Sequence, residues 1–193
     1  MSQKLNVPHV SQSSRVDCAQ ACVAMVYAFY GIPFDPESVA AGLSTDDHDG
    51  TDNDDLGKLL QEAFICGPFI QGTIAQIKQS IDAGNPVLVN FLVPYDHGEM
   101  QNPDSARCVN KTNIPADIDY RYYDGHYALV VGYDDDQDIL YIHNPEHEGY
   151  ETISTTHFEK VWMSYYVNHV KWMLLVEHVR DRMSSRAAAA LSN

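Results

Sequence analysis

Apolar positions are densest between Gln12 and Gly31, a stretch that begins polar and becomes almost wholly apolar after Cys18. No Gly or Pro interrupts the apolar run, and Gly-Ile-Pro at 31–33 is a helix-stop signal. Because apolar side chains cover nearly the whole circumference of this segment, the pattern predicts a buried central helix with Cys18 in its first turn.

Two further helices are predicted before residue 65. Asp35 is a suitable N-cap and Pro36 suits the first helical position, so a short helix is expected to begin there. Leucines at helical spacing indicate another helix over about residues 53–64. The acidic segment between them, residues 44–55, does not match the ligand spacing of an EF-hand calcium loop, so it is interpreted as a solvated loop that caps the following helix.

A fourth helix and a buried strand follow. Thr73 is a suitable N-cap, isoleucines at helical spacing form one face, and Gly84 ends the helix. The short β-rich run at 86–93 predicts a buried strand. Residues 94–125 show no regular pattern, and a loop of that length in a compact domain is usually functional or mobile.

The last third of the chain changes to the alternating period of strands. Residues 126–133 and 139–144 are apolar strands separated by an acidic turn, which predicts a β-hairpin. A helix is predicted over 156–166 and a closing strand over 170–179. Helices therefore precede an antiparallel sheet, which predicts the α+β class. A chain of 193 residues suits one core, so a single domain is expected over residues 1–183, with 184–193 as a flexible C-terminal tail.

The net charge of −15 at pH 7 narrows the classes of partner. Nucleic acids and anionic membranes attract basic proteins, so neither is expected to bind, whereas a basic peptide or protein fits the charge. The N-terminal residues lack the apolar core of a signal peptide, and no stretch is long enough to span a membrane. A cytoplasmic location is therefore expected, with a signal-free secretion route as the alternative. The oligomeric state is left open.

The four cysteines, at positions 18, 22, 66 and 108, form neither a CxxC pair nor a zinc-ligand array, and no metal or cofactor is expected. Cys18 and Cys22 would lie one helical turn apart, a geometry unsuited to a disulfide. A cysteine in the first turn of a helix meets the positive end of the helix dipole, which favours the thiolate. Cys18 is therefore the candidate nucleophile, and Cys22 is expected to pack in the core.

A thiolate nucleophile needs a base, a group that orients the base, and donors for the oxyanion. His126 begins the first hairpin strand and Asn144 ends the second. Because the start of one antiparallel strand lies beside the end of the next, these two residues are expected to be neighbours. His143 would point to the opposite face and be structural. Gln12, six residues before Cys18, could direct its amide at the same carbonyl oxygen that the Cys18 backbone N–H meets.

These residues also carry a resemblance to a known family. The Gln12-x5-Cys18 spacing, with Asp17 before the cysteine and an apolar helix after it, resembles the N-terminal motif of the bacteriocin-processing (double-glycine leader), papain-like cysteine peptidases. GHYALVVGY at 125–133 and ILYIHNP at 139–145 resemble the family's catalytic histidine strand and the strand after it. A related guanylyl cyclase-like group is similar at the C-terminal end. The resemblance implies a papain-like fold, with a helical half packed on an antiparallel sheet.

The resemblance also implies roles for individual residues. Cys18 is the expected nucleophile, His126 the base, Asn144 the group that orients the base, and Gln12 the oxyanion donor. Asn144 stands where the leader peptidases carry Asp, and the residue after the nucleophile is Ala instead of the usual Gly. Contacts with substrate are expected from five residues beside the nucleophile and the base: Asp17, which is also expected to cap or anchor the helix start, Ala19, Tyr123, Gly125 and Tyr127.

The predicted function is a cysteine-dependent hydrolase that cleaves a peptide or isopeptide amide bond through a thioester intermediate. The same thioester could instead pass its acyl group to an amine, or the attacked amide could be a Gln side chain. These alternatives would make the protein a transglutaminase-like acyltransferase or a glutamine deamidase. A non-catalytic peptide-binding module is an alternative of a different class. The residues do not specify the substrate beyond a peptide or protein of basic character.

Overall fold

The computed structural model describes residues 1–14, 16–33, 35–43, 45–46, 50–63, 65–66, 69–94, 123–162 and 171–177. The helices in these residues are α1 (Cys18–Phe29), α2 (Pro36–Gly42), α3 (Asn53–Ala63), α4 (Ile74–Asp82) and α5 (Thr155–Val161). The strands are β1 (Ser2–Lys4), β2 (Thr45–Asp46), β3 (Gly50–Thr51), β4 (Ile65–Cys66), β5 (Ile70–Gln71), β6 (Val87–Pro94), β7 (Tyr123–Asp134), β8 (Ile139–His143), β9 (Glu151–Ser154) and β10 (Trp172–Glu177).

The four helices predicted in the first half of the chain are confirmed. α1 begins at Cys18, and the chain leaves it through Gly31, whose φ of 65° lies in the left-handed region that glycine adopts without strain. α4 is capped by Thr73, whose Oγ1 accepts a hydrogen bond from the backbone N–H of Gln76 at 3.2 Å. Local capping signals therefore set the ends of these two helices.

Eight of the described strands form one antiparallel sheet in the order β4-β10-β6-β7-β8-β9, with β1 added to β7 and β5 added to β10. The strands β2 and β3 form a separate pair. β7 is central because it pairs with β6 from Tyr123 to Val130 and with β8 and β1 further along. The predicted hairpin is confirmed as β7 and β8, and Asp138 in its turn has a φ of 52°. The predicted α+β class is correct.

Some predicted boundaries are wrong. β7 begins at Tyr123, so the last residues of the predicted 94–125 loop belong to a strand. The predicted helix over 156–166 ends at Val161. Residues 95–122, residues 163–170 and the predicted tail at 184–193 lie outside the described residues. The strands β1, β4, β5 and β9 were not predicted because two to four residues are too few to show an alternating pattern.

α1 packs against β7 and carries much of the core. The side chains of Val23, Met25 and Val26 are fully buried, as expected for a helix that is apolar on nearly every face. Trp162 is also fully buried, and its Nε1–H donates a hydrogen bond to the carbonyl of Trp172 at 2.8 Å. The contact between α1 and β7 joins the helix that begins with Cys18 to the strand that carries His126. Among the described helices, none has the length and apolar character needed to cross a membrane.

Candidate active site

Cys18 is the first residue of α1, and its side chain is 7% exposed. The preceding Asp17 does not cap the helix with its side chain. Its carboxylate instead accepts hydrogen bonds from the backbone N–H of Ser13 at 3.0 Å, the backbone N–H of Ser14 at 2.8 Å and the Ser13 hydroxyl at 2.5 Å. Partial burial opposes ionisation, but these bonds outweigh it and lower the pKa of Asp17. Asp17 therefore fixes the loop that leads into Cys18.

His126 lies in β7, opposite Phe91 of β6, and is 3% exposed. The edge of one ring meets the face of the other, with their centroids 5.7 Å apart. The imidazole Nε2 is hydrogen-bonded to Asn144 Oδ1 at 2.8 Å. The Cys18 side chain lies close enough to the ring to raise its pKa. The fold thus brings a sulfur, an imidazole and an amide together from three distant parts of the chain.

The partners of Asn144 fix which ring nitrogen faces the sulfur. Asn144 is fully buried, and its Oδ1 also accepts a hydrogen bond from the backbone N–H of Glu146 at 3.0 Å. Its Nδ2 donates to Glu151 Oε2 at 3.4 Å. A backbone N–H can only donate and a carboxylate can only accept, so the amide oxygen must face His126. His126 Nε2 therefore carries the proton in this bond, which leaves Nδ1 for Cys18.

The charge state of His126 follows from its neighbours. Burial opposes protonation of the ring, but the negative charge of the Cys18 thiolate and its hydrogen bond act in the other direction. The charge of Glu146 and the hydrogen bond to Asn144 add to this effect, and together these groups raise the pKa of His126 to about 9. At neutral pH the ring is therefore charged, and a charged imidazole beside a cysteine sulfur is the setting that thiol nucleophiles use.

Cys22 lies one turn further along α1 and is fully buried. Burial, and then the charge of Cys18, raise the pKa of its thiol well above the ordinary value. Cys22 stays protonated and fills the core, as predicted. The two cysteines of the helix therefore differ in their surroundings: Cys18 acts on the imidazole of His126, whereas Cys22 is enclosed by the core.

Gln12 is placed beside Asn144 by its backbone. Its N–H donates to the carbonyl of Pro145, the residue after Asn144, at 2.9 Å. The side-chain Oε1 is buried, and within the described part of the chain it has no hydrogen-bond partner. The loop before Cys18 is thus fixed at both ends, by Asp17 at one end and by the bond to Pro145 at the other.

The family follows from a comparison of the whole chain. The family model described as "Peptidase_C39 like family" matches residues 4–168. The chain belongs to the C39-like peptidase family. The predicted resemblance is confirmed, and the protein is a cysteine peptidase-like hydrolase. Among curated protein sequences, none matches significantly.

Solved structures share the fold of this C39-like peptidase. A protein from Bacillus anthracis described as a C39-like peptidase aligns with a TM-score of 0.64 and 19% identity, over 91% of this chain and 97% of its own. The double glycine motif protease of an AMS/PCAT transporter, solved with a leader peptide, aligns with a TM-score of 0.60 and 14% identity, over 92% of this chain and 95% of its own. Xylellain, a cysteine protease from Xylella fastidiosa, aligns with a TM-score of 0.60 and 15% identity, over 93% of this chain and 86% of its own. These likenesses confirm the papain-like fold.

The residues predicted to contact substrate are not all placed for it. Ala19 is fully buried in α1, so its methyl group packs in the core and cannot line a cleft. Tyr127 is 4% exposed, and its hydroxyl donates a hydrogen bond to the carbonyl of Thr51 at 2.9 Å and also contacts the side-chain amide of Asn53. Burial is the main cause that raises the pKa of this hydroxyl. Tyr127 therefore secures the start of α3 and is removed from the predicted substrate contacts.

The other predicted contacts differ in how far the structure describes them. Gly125 is exposed in β7, one residue before the imidazole, and pairs with Leu92 of β6. The backbone of Tyr123 pairs with Pro94, but its side chain lies outside the described part. Asp17 is partly buried and engaged with the serine loop. Gly125 is thus the predicted contact that the structure leaves open to a ligand.

His9, which contacts Asn144, escaped the sequence analysis, whereas His143 was predicted to be structural. His9 Nε2 is hydrogen-bonded to the carbonyl of Asn144 at 2.9 Å, although 135 residues separate them. The ring of His143 lies against His9, with centroids 5.1 Å apart, and is 2% exposed. Burial, and then the charge of His9, lower the pKa of His143 to about 4, so it is neutral at pH 7. Only the turn-like composition of 145–150 hinted that this segment folds back onto Asn144.

Within the ranges that the structure describes, no group of three or more His, Cys, Asp or Glu side chains is arranged to hold a metal ion. The most acidic part of the 44–55 segment, residues 47–49, lies outside those ranges.

Proposed function

We propose that this C39-like peptidase cleaves peptide or isopeptide bonds through a thioester on Cys18. His126 acts as the general acid and base, and Asn144 orients its ring. One observation carries the proposal: Asn144 Oδ1 holds the His126 ring at 2.8 Å, and the Cys18 side chain lies close enough to the ring to raise its pKa. This is the arrangement that cysteine acyl-transfer chemistry requires.

The first half of the reaction forms the thioester. The Cys18 thiolate attacks the carbonyl carbon, and the carbonyl π electrons move onto oxygen. The Cys18 backbone N–H and the Gln12 side-chain amide donate hydrogen bonds to that oxyanion, and each such donor lowers the barrier by about 3 kcal/mol. His126 gives its Nδ1 proton to the amine, the C–N bond breaks, and the acyl group remains on sulfur.

The second half returns the enzyme to its starting state. His126, now neutral, takes a proton from water as the water oxygen attacks the thioester carbonyl. The C–S bond breaks, the acid product leaves, and the thiolate–imidazolium pair is restored. The bond between Asn144 Oδ1 and Nε2–H keeps the ring in one orientation through both proton transfers.

The proposed substrate is a peptide or protein of basic character. The net charge of −15 supports a cationic partner, because opposite charge speeds encounter. The exposed carboxylate of Glu146 acts electrostatically on His126, so negative charge lies close to the reacting atoms. The free thiols of Cys18 and Cys22 support a reducing compartment such as the cytoplasm.

The test is cleavage of a peptide library, with products identified by mass spectrometry. Wild-type protein should cut peptide bonds, with Cys18→Ala and His126→Ala inactive and Cys22→Ser active. Addition of a soluble amine distinguishes the chemistries: amide products in its presence would make the protein an acyltransferase, and loss of ammonia from Gln without backbone cleavage would make it a deamidase. Peptide binding that survives Cys18→Ala, with no turnover by wild type, would refute the hydrolase.

A further inference from the structure

Glu151 begins β9 directly behind Asn144, on the side away from His126. Its side chain is 10% exposed. Oε2 accepts a hydrogen bond from Asn144 Nδ2 at 3.4 Å, and Oε1 lies 3.4 Å from His147 Nε2. Burial of a carboxylate costs free energy unless other groups compensate its charge. One of the two partners of Glu151 is the Asn144 amide, which holds the proposed catalytic ring.

We propose that Glu151 is a positioning residue for catalysis: through the Asn144 amide, its negative charge keeps the His126 ring charged and correctly oriented. This inference rests on the proposed function of Cys18 and His126 and adds a fourth group behind them. The order of contacts is sulfur, imidazole, amide, carboxylate.

The physical basis is polarisation across a buried amide. The N–H end of the Asn144 amide faces the carboxylate and its oxygen faces the imidazole, so the carboxylate increases the negative charge on that oxygen. Asn144 is fully buried, so water does not screen this effect. At 3.4 Å the hydrogen bond is long, and Glu151 therefore acts mainly through its charge.

Other charged groups surround Glu151, and their signs matter. Burial raises the pKa of Glu151, and the charge of Glu146 acts in the same direction. The charges of His147 and His126 and the hydrogen bond from Asn144 lower it. On the N-terminal segment, His9 is hydrogen-bonded to the Asn144 carbonyl. Because the pKa is raised, the charge of Glu151 is lost on acidification earlier than that of an exposed carboxylate.

The test removes the charge and keeps the shape. Glu151→Gln retains an oxygen that accepts the Asn144 bond but carries no charge. Glu148→Gln is the matched control, because Glu148 is an exposed carboxylate in the same turn. NMR titration of the His126 ring should show its midpoint about half to one pH unit lower in Glu151→Gln than in wild type, and unchanged in the control. Equal midpoints in the two variants would overturn the proposal.

Moving the negative charge from position 151 to position 144 provides an independent test, which also applies if Glu151→Gln folds poorly. Asn144→Asp would place a carboxylate about 3.4 Å from that of Glu151, and like charges at this distance repel. We expect Asn144→Asp alone to lose folding stability, and the double variant Asn144→Asp/Glu151→Gln to regain it with the His126 midpoint still high, because one carboxylate then remains beside the ring. A double variant no better than the single one would contradict the proposal.

Both readouts separate this inference from the function on which it rests. The titration of His126 needs no substrate, so it reports on Glu151 even if no peptide is ever cut. Conversely, wild-type peptide cleavage with an unshifted titration in Glu151→Gln would leave the hydrolase in place and reject the role of Glu151. Where both hold, kcat should fall in Glu151→Gln about threefold to tenfold with KM little changed, since the charge acts on the proton-transferring ring and not on substrate binding.

Discussion

Replacement of Cys18 by alanine should lower the pKa of His126 by about 2 pH units, because the thiolate is the main group that favours the charged ring. The pKa of His126 is about 9 against an ordinary value of 6.5, a difference of about 2.5. At about 1.4 kcal/mol per pH unit, the groups that favour protonation outweigh burial by roughly 3 kcal/mol. In Cys18→Ala, burial still opposes protonation of the His126 ring, and only Glu146 and Asn144 favour it.

The assay is a pH titration of the imidazole carbon-bound protons by NMR. The chain has nine histidines, and the resonance that disappears in His126→Gln identifies the relevant one. In wild type its midpoint should lie near 9, and in Cys18→Ala it should lie near 7 or below. Activity should follow the same group: as the pH rises through about 9 the imidazolium loses its proton, so kcat/KM should fall there.

Two control variants separate charge from packing. Cys18→Ser keeps a hydroxyl that can hydrogen-bond but carries no charge, so it should behave like Cys18→Ala. Cys22→Ser alters a buried neighbour whose thiol is already uncharged, so the His126 midpoint should stay near 9. A midpoint that remains within about half a unit of the wild-type value in Cys18→Ala would refute the ion pair.

Three further predictions concern the residues around the nucleophile. Gln12→Ala should lower kcat by about 10²-fold with little change in KM or stability, since the backbone bond to Pro145 remains. Steady-state kinetics and thermal melts would show this, and an unchanged kcat would exclude the oxyanion role. Asp17→Ala should reduce stability by about 1 kcal/mol in urea denaturation and lower kcat, because the loop before Cys18 loses its hydrogen bonds; full activity would refute this. Tyr127→Phe should cost about 1–2 kcal/mol of stability but alter kcat/KM less than about threefold; a larger kinetic loss would reinstate Tyr127 as a substrate contact.

The parts of the fold that depend on local pattern were predictable. The buried α1 follows from an uninterrupted apolar run with a glycine stop, and the β7–β8 hairpin follows from two alternating runs joined by a short acidic turn. The hairpin also predicted that His126 and Asn144 meet, because antiparallel pairing fixes which residues lie opposite one another. Chemistry that depends on one strand pair can therefore be predicted from periodicity.

Other features depend on contacts that no local pattern encodes. Tyr127 is next to His126 in sequence, but whether its ring meets solvent or α3 depends on what packs on each face of β7. The bond between His9 and the Asn144 carbonyl joins residues 135 positions apart. Glu151 reaches Asn144 only because the four-residue β9 returns along β8, with Glu151 opposite Ile142. Burial and long-range pairing decide these roles, and both require the folded chain.

The most direct test of the central claim is the rate at which iodoacetamide alkylates each cysteine at mildly acidic pH. Peptide mass spectrometry reads Cys18 and Cys66 separately in the same sample. We predict that Cys18 reacts roughly tenfold faster or more, and that His126→Ala removes the difference, because only an imidazolium keeps the sulfur ionised at that pH. Alkylation of Cys18 no faster than that of Cys66, or a rate unaffected by His126→Ala, would contradict the thiolate–imidazolium pair.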